Sequence, residues 1–81
     1  MKVKVLYFAS LKSKLNKNYE EIEIDKDTTV KALKDLLLRE YPDLKELLDN
    51  CMIAINESYV DENSLLKDND TVAIIPPVGG G

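Results

Sequence analysis

The most chemically distinctive residues of this chain are its last six, Pro76-Pro77-Val78-Gly79-Gly80-Gly81. Each proline fixes φ and removes a backbone donor, so the segment cannot extend a paired strand and is expected to leave the body of the fold at Pro76. Three glycines follow, and a carboxylate at Gly81 would have no bulky side chain near it. Six extended residues reach roughly 20 Å, at about 3.3 to 3.6 Å each, enough to carry that carboxylate from one protein's surface into another's active site. Glycine costs the most conformational entropy to order, which predicts a flexible arm over residues 76–81 that only a partner holds. The plainer alternative is a frayed terminus or a cloning remnant.

Little else competes for a chemical role. The chain has no histidine, which removes the commonest general base and metal ligand. Cys51, the lone cysteine, falls on the core side of an apolar run and reads as a small buried hydrophobe. Asp68-Asn69-Asp70 opens like a calcium loop but lacks the glycine and distal glutamate that complete one, so it reads as a turn. Glu20, Glu21 and Glu23 read as a solvated strand face, and no metal site is expected.

Composition narrows the class. Fifteen acidic against eleven basic residues give a net charge of -4, and the lysines are scattered, which argues against nucleic acid as a ligand. Hydrophobic residues at 44% and charged residues at 32% fit one small globular domain. No apolar run approaches the ~18 residues that would span a membrane. Met1-Lys2-Val3-Lys4-Val5 alternates like a strand and has no signal-peptide core, and an unpaired cysteine suits a reducing compartment, so a cytoplasmic location is expected.

The elements that would carry the arm follow from periodicity. Residues 2–8 alternate as a strand with Val3, Val5 and Tyr7 on one face, while Leu6 and Phe8 make the other face apolar at one end. A polar connection over residues 10–18 leads to a second strand, with Ile22 and Ile24 inward and the acids outward. Val30, Leu33, Leu37 and Tyr41 share a helical stripe with Leu36 beside it; Thr28 or Thr29 caps this helix, and Pro42 ends it. Leu44, Leu47 or Leu48 anchors a further short turn. Residues 51–55 form a third strand with Cys51, Ile53 and Ile55 inward, Asn56-Glu57 turns the chain into a short fourth, and Leu65-Leu66 plugs a polar loop. Residues 71–75 are apolar at nearly every position, as in a central strand covered on both faces. The expected class is α+β: a mixed sheet of four to five strands with one main helix across it over residues 1–75, followed by the arm over residues 76–81.

This order of elements resembles the ubiquitin-like β-grasp, in which the first and last strands run parallel side by side. Val5-Leu6-Tyr7-Phe8-Ala9, Thr29-Val30-Lys31-Ala32-Leu33, Ala54-Ile55-Asn56 and the run from Leu66 through Pro76-Pro77-Val78-Gly79-Gly80-Gly81 resemble the MoaD/ThiS family of ubiquitin-like sulfur carriers, and within it the small subunit of molybdopterin synthase. The likeness runs the whole length. Gly79 departs from the pattern, since members commonly carry a different small residue there.

The resemblance implies a role for the arm. An ubiquitin-activating-like adenylyltransferase of the MoeB type, using ATP and Mg²⁺, would adenylate Gly81; a persulfide sulfur donor would convert it to a thiocarboxylate. The arm, Pro76 to Gly81, would then enter the large subunit, MoaE, in a heterotetramer and give sulfur to cyclic pyranopterin monophosphate, a step of molybdenum cofactor biosynthesis. On this reading the chain is not catalytic alone and binds no cofactor itself. Leu6, Phe8, Leu11, Tyr59 and Ile75 are expected to form the apolar patch that docks both partners, with Lys12 adding an ion pair at its rim. Two other roles fit the same tail: a protein modifier joined to lysines through Gly81, or a sulfur carrier for thiamin or for tRNA thiolation. The paired prolines argue against the thiamin carriers.

Overall fold

Strand β1 (Lys2–Tyr7) sets the two faces of the sheet: Val3, Val5 and Tyr7 are buried, Lys2 and Lys4 are exposed, and Leu6 is half-buried on the same side as the lysines. The structure, a computed structural model, describes residues 1–77; the remainder of the expected arm, residues 78–81, lies outside the described residues. Strand β1 pairs antiparallel with β2 (Tyr19–Glu23) and parallel with β5 (Thr71–Ile75). Strand β5 pairs antiparallel with β3 (Met52–Ile55), which turns into β4 (Ser58–Val60), giving the order β2-β1-β5-β3-β4. The last strand is therefore central, and its parallel contact with the first is as expected.

One further element comes before the main helix. Residues Ala9–Leu15 form a short helix, α1, where a polar connection was expected. Its only strong apolar signal is the i, i+4 pair Leu11 and Leu15, with Asn16 closing it in the left-handed conformation (φ 56°) that asparagine tolerates. The helix turns Leu11 wholly into the core. The main helix, α2 (Val30–Glu40), starts where Thr29 Oγ1 accepts from the Ala32 amide at 3.1 Å and ends before Pro42, with Tyr41 as its last cap. Val30, Leu33 and Leu37 are buried beneath it, each large side chain contributing about 1.5 to 3 kcal/mol. A 3₁₀ turn (Pro42–Leu44) and a short helix α3 (Lys45–Asp49) then bury Leu44 and Leu48. No helix among the described residues is long and apolar enough to cross a membrane.

Several local expectations need correction. Cys51 precedes β3 and is half-buried, its Sγ donating to the Leu47 carbonyl at 2.9 Å. Leu66 is buried, but its neighbour Leu65 is 55% exposed, so the plug is one residue wide. Glu20 shares the inward face with Ile22 and Ile24 instead of facing water. It accepts hydrogen bonds from the hydroxyls of Tyr7 and Tyr41, and Lys17 reaches Tyr41 Oη at 3.0 Å, so the acid joins β1, β2 and the end of α2. Burial first, and then the Glu20 hydrogen bond and charge, hold the Tyr7 phenol well above its ordinary pKa. Pro76 is also buried, and the chain becomes exposed only at Pro77, one residue later than the two prolines suggested.

Candidate functional site

The face of the sheet opposite α2 has no covering element among the described residues. On β5, Val72 and Ile74 face the core while Thr71, Ala73 and Ile75 are half-exposed on the other side. Strand register lines them up with neighbours. Leu6 pairs with Tyr19 on one side and Ala73 on the other, Ala73 with Ala54, and Ala54 with Tyr59, so one row crosses all five strands. Small residues stand in its middle and large ones toward its ends. The result is an apolar depression of about 350 Å³, floored by Ala54 and Ala73 and lined by Leu6, Phe8, Tyr59 and Ile75, with Thr71 and Glu57 at its polar end. Phe8 is 43% exposed and Tyr59 66% exposed. Large aromatic side chains left open on one contiguous face mark an interaction surface more than a solvated one.

Four of the six residues expected at the docking patch are therefore together: Leu6, Phe8, Tyr59 and Ile75. Leu11 is not, because α1 places it at 0% exposure inside the core. Lys12 is exposed but lines a separate shallow depression with Ser13, Asn16, Lys17 and Asn18, away from this lining. Ala54, Ala73, Thr71 and Glu57 were not anticipated. Period-2 alternation from Ile75 would have found Ala73 and Thr71, but Ala54 and Glu57 join only through the β3–β5 and β3–β4 pairings.

The polar end of the depression is held rigidly. Asn56 Nδ2 donates to Asp70 Oδ1 at 2.9 Å, Asn56 Oδ1 accepts from the Thr71 amide at 3.0 Å, and Asp70 Oδ2 accepts from the Lys67 amide at 2.8 Å. Asp68 Oδ1 accepts from the Lys2 amide at 2.9 Å, and Asn69 donates its amide to the Lys2 carbonyl at 2.7 Å. Asp68, Asn69 and Asp70 thus spend their polar groups on tying the loop before β5 to β1 and to the β3–β4 turn. No cluster of three or more metal-ligating side chains occurs among the described residues. Cys51 is not on this face's lining; burial pushes its thiol up to about 11, with the Lys34 charge a smaller opposing influence.

At one end of this face, β5 hands the chain to Pro76 and Pro77. A five-stranded mixed sheet in the order β2-β1-β5-β3-β4, with one long helix across a single face, is a ubiquitin-like β-grasp domain. Its open face lies where the last strand releases the C-terminal segment. The chain belongs to the ThiS family, which it matches over residues 5–81. A molybdopterin synthase sulfur carrier subunit of Chlamydomonas reinhardtii is 35% identical over 83 residues, covering 100% of both chains. Among solved structures, a putative molybdopterin converting factor, subunit 1, from Pyrococcus furiosus superposes with a TM-score of 0.86 at 34% identity, covering 96% of this chain and 99% of that one. A chain in the complex of subunits 1 and 2 of the molybdopterin-converting factor from Helicobacter pylori is 35% identical, with a TM-score of 0.73 and full coverage of both. SAMP1 from Haloferax volcanii, at a TM-score of 0.87 and 22% identity over the full length of both chains, shares the fold.

Proposed function

We propose that this chain is the sulfur carrier subunit of a molybdopterin synthase, a non-catalytic partner whose reactive group is its own C-terminal carboxylate. The observation that carries the reading is the position of the open apolar face: it lies beside the strand that ends in Pro76-Pro77-Val78-Gly79-Gly80-Gly81, so a protein docked there receives the arm in its own interior. The full-length likeness to sulfur carrier subunits supports it.

In this mechanism the Gly81 carboxylate attacks the α-phosphate of ATP on a MoeB-type adenylyltransferase, Mg²⁺ steadying the phosphates as pyrophosphate leaves. A persulfide sulfur then attacks the acyl carbon and expels AMP. Reduction of the resulting S–S bond by a thiol leaves a thiocarboxylate on Gly81. Docked on the large subunit, MoaE, in a heterotetramer, the arm presents that sulfur to cyclic pyranopterin monophosphate, and two deliveries complete the dithiolene. Side chains of this chain take no part in proton transfer, in keeping with its lack of histidine. The setting is cytoplasmic, where a half-buried unpaired Cys51 stays reduced. The test is intact mass spectrometry after incubation with ATP, the activating enzyme and a persulfide donor. A gain equal to sulfur replacing oxygen, mapped to the C-terminal peptide, is the expected result; no gain, or one mapped to Cys51, refutes the reading.

A further inference from the structure

Among the described residues, six other than glycine adopt positive φ: Ala9 (51°), Asn16 (56°), Asp27 (66°), Asn56 (49°), Glu57 (73°) and Asn69 (69°). Four are asparagine or aspartate, which tolerate the left-handed region through their short polar side chains. Ala9 and Glu57 have no such excuse; Ala9 opens α1, and Glu57 lines the depression. Glu57 is the second central residue of the β3–β4 hairpin. With φ positive at both Asn56 and Glu57, this two-residue connection has the backbone signs for which Asn-Gly is the favoured pair. A glutamate here retains strain that glycine would relieve. Strain of this kind persists only where the surrounding structure enforces it, and it gathers at sites of function.

What the side chain offers is a lone charge. The depression is lined by Leu6, Phe8, Ala54, Tyr59, Ala73 and Ile75 with Thr71, and Glu57 is the one ionisable group among these lining residues other than the Tyr59 phenol. Among the described residues no cation pairs with Glu57 and no side-chain hydrogen bond engages it, whereas neighbouring Asn56 is fully committed to Thr71 and Asp70.

We propose that Glu57 is the charge-reading residue of the docking face, which fits a partner surface that sets a lysine or arginine beside an apolar patch. This rests on the docking reading above and adds to it the partner's chemistry. A rim charge of this kind steers association and sets its salt dependence more than it sets the lifetime of the complex. The test compares Glu57→Gln, Glu57→Gly and Ile75→Glu with the parent chain for stopped-flow association with the molybdopterin synthase large subunit, and for thermal unfolding. Glu57→Gly is expected to melt several degrees higher yet, like Glu57→Gln, to associate on the order of 3- to 10-fold more slowly at low salt. The difference is expected to close as ionic strength rises from about 0.05 to 0.5 M. A Glu57→Gln chain with the parent's rate and salt dependence overturns the proposal, and a Glu57→Gly chain no more stable than the parent removes the strain argument beneath it. Ile75→Glu separates the two levels: if that variant still binds, the docking face itself is wrong and the role of Glu57 falls with it.

Discussion

Tyr7, Glu20, Tyr41 and Lys17 form a polar cluster that reaches from the sheet to the end of the main helix. Both titratable shifts in it have the same sign. The Tyr7 phenol is raised above its unfolded value, chiefly by burial, and the Lys17 ammonium is raised by its hydrogen bond to Tyr41 and by the Glu20 charge. A group whose pKa is higher folded than unfolded lends stability that is complete below its unfolded pKa and lost as pH climbs through the folded one. The urea midpoint should therefore hold steady through neutral pH and fall above about pH 10, near the unfolded pKa of both groups. In Tyr7→Phe the fall should be shallower, and an unchanged slope would show that the phenol is not the group responsible. Cys51 is the second residue with a clear expectation. Its raised thiol pKa and its bond to the Leu47 carbonyl predict slow alkylation of the folded protein at neutral pH, and Cys51→Ala should still acquire sulfur at its terminus.

Among the elements, α1 separates packing from recognition. Leu11 is fully buried against the core, so Leu11→Ala should destabilise the domain by about 2 to 5 kcal/mol in urea titration through the cavity it leaves. The folded fraction should still associate with the large subunit at the parent's rate, which a docking role for Leu11 would not allow. The loop before β5 makes a parallel case. Asp70→Ala would strip partners from the Lys67 amide and Asn56 Nδ2 and should cost about 1 to 3 kcal/mol, measured the same way. The strands and α2 were legible in advance because alternation of two and a stripe of 3.6 are written along the chain. Helix α1 was not, since two leucines among lysines and serines make too weak a stripe; the alternation that turns Ile22 and Ile24 inward also turns Glu20 inward, but its partners there, Tyr7 and Tyr41, are distant in sequence.

For the whole molecule, docking and chemistry are assigned to different parts, and two variants should separate them. Ile75→Glu places a charge on the open face and should abolish the complex with the large subunit while leaving the circular dichroism spectrum unchanged. Removing Gly80 and Gly81 should leave the complex intact and stop sulfur transfer. The parallel meeting of first and last strands was implied by the resemblance to the β-grasp, and the amino-acid order alone determined the strands, the main helix and the proline–glycine arm proposed to react. These depend on side-chain periodicity, on proline and on glycine, which act locally. Only the tertiary structure decided which residues share the open apolar face. Ala54, Ala73 and Glu57 reach it through the register of strands far apart in the chain, and Leu11 leaves it through the rotation of a seven-residue helix. Register and rotation are settled by which packing buries the most apolar surface, a property of the assembled core and of no single segment.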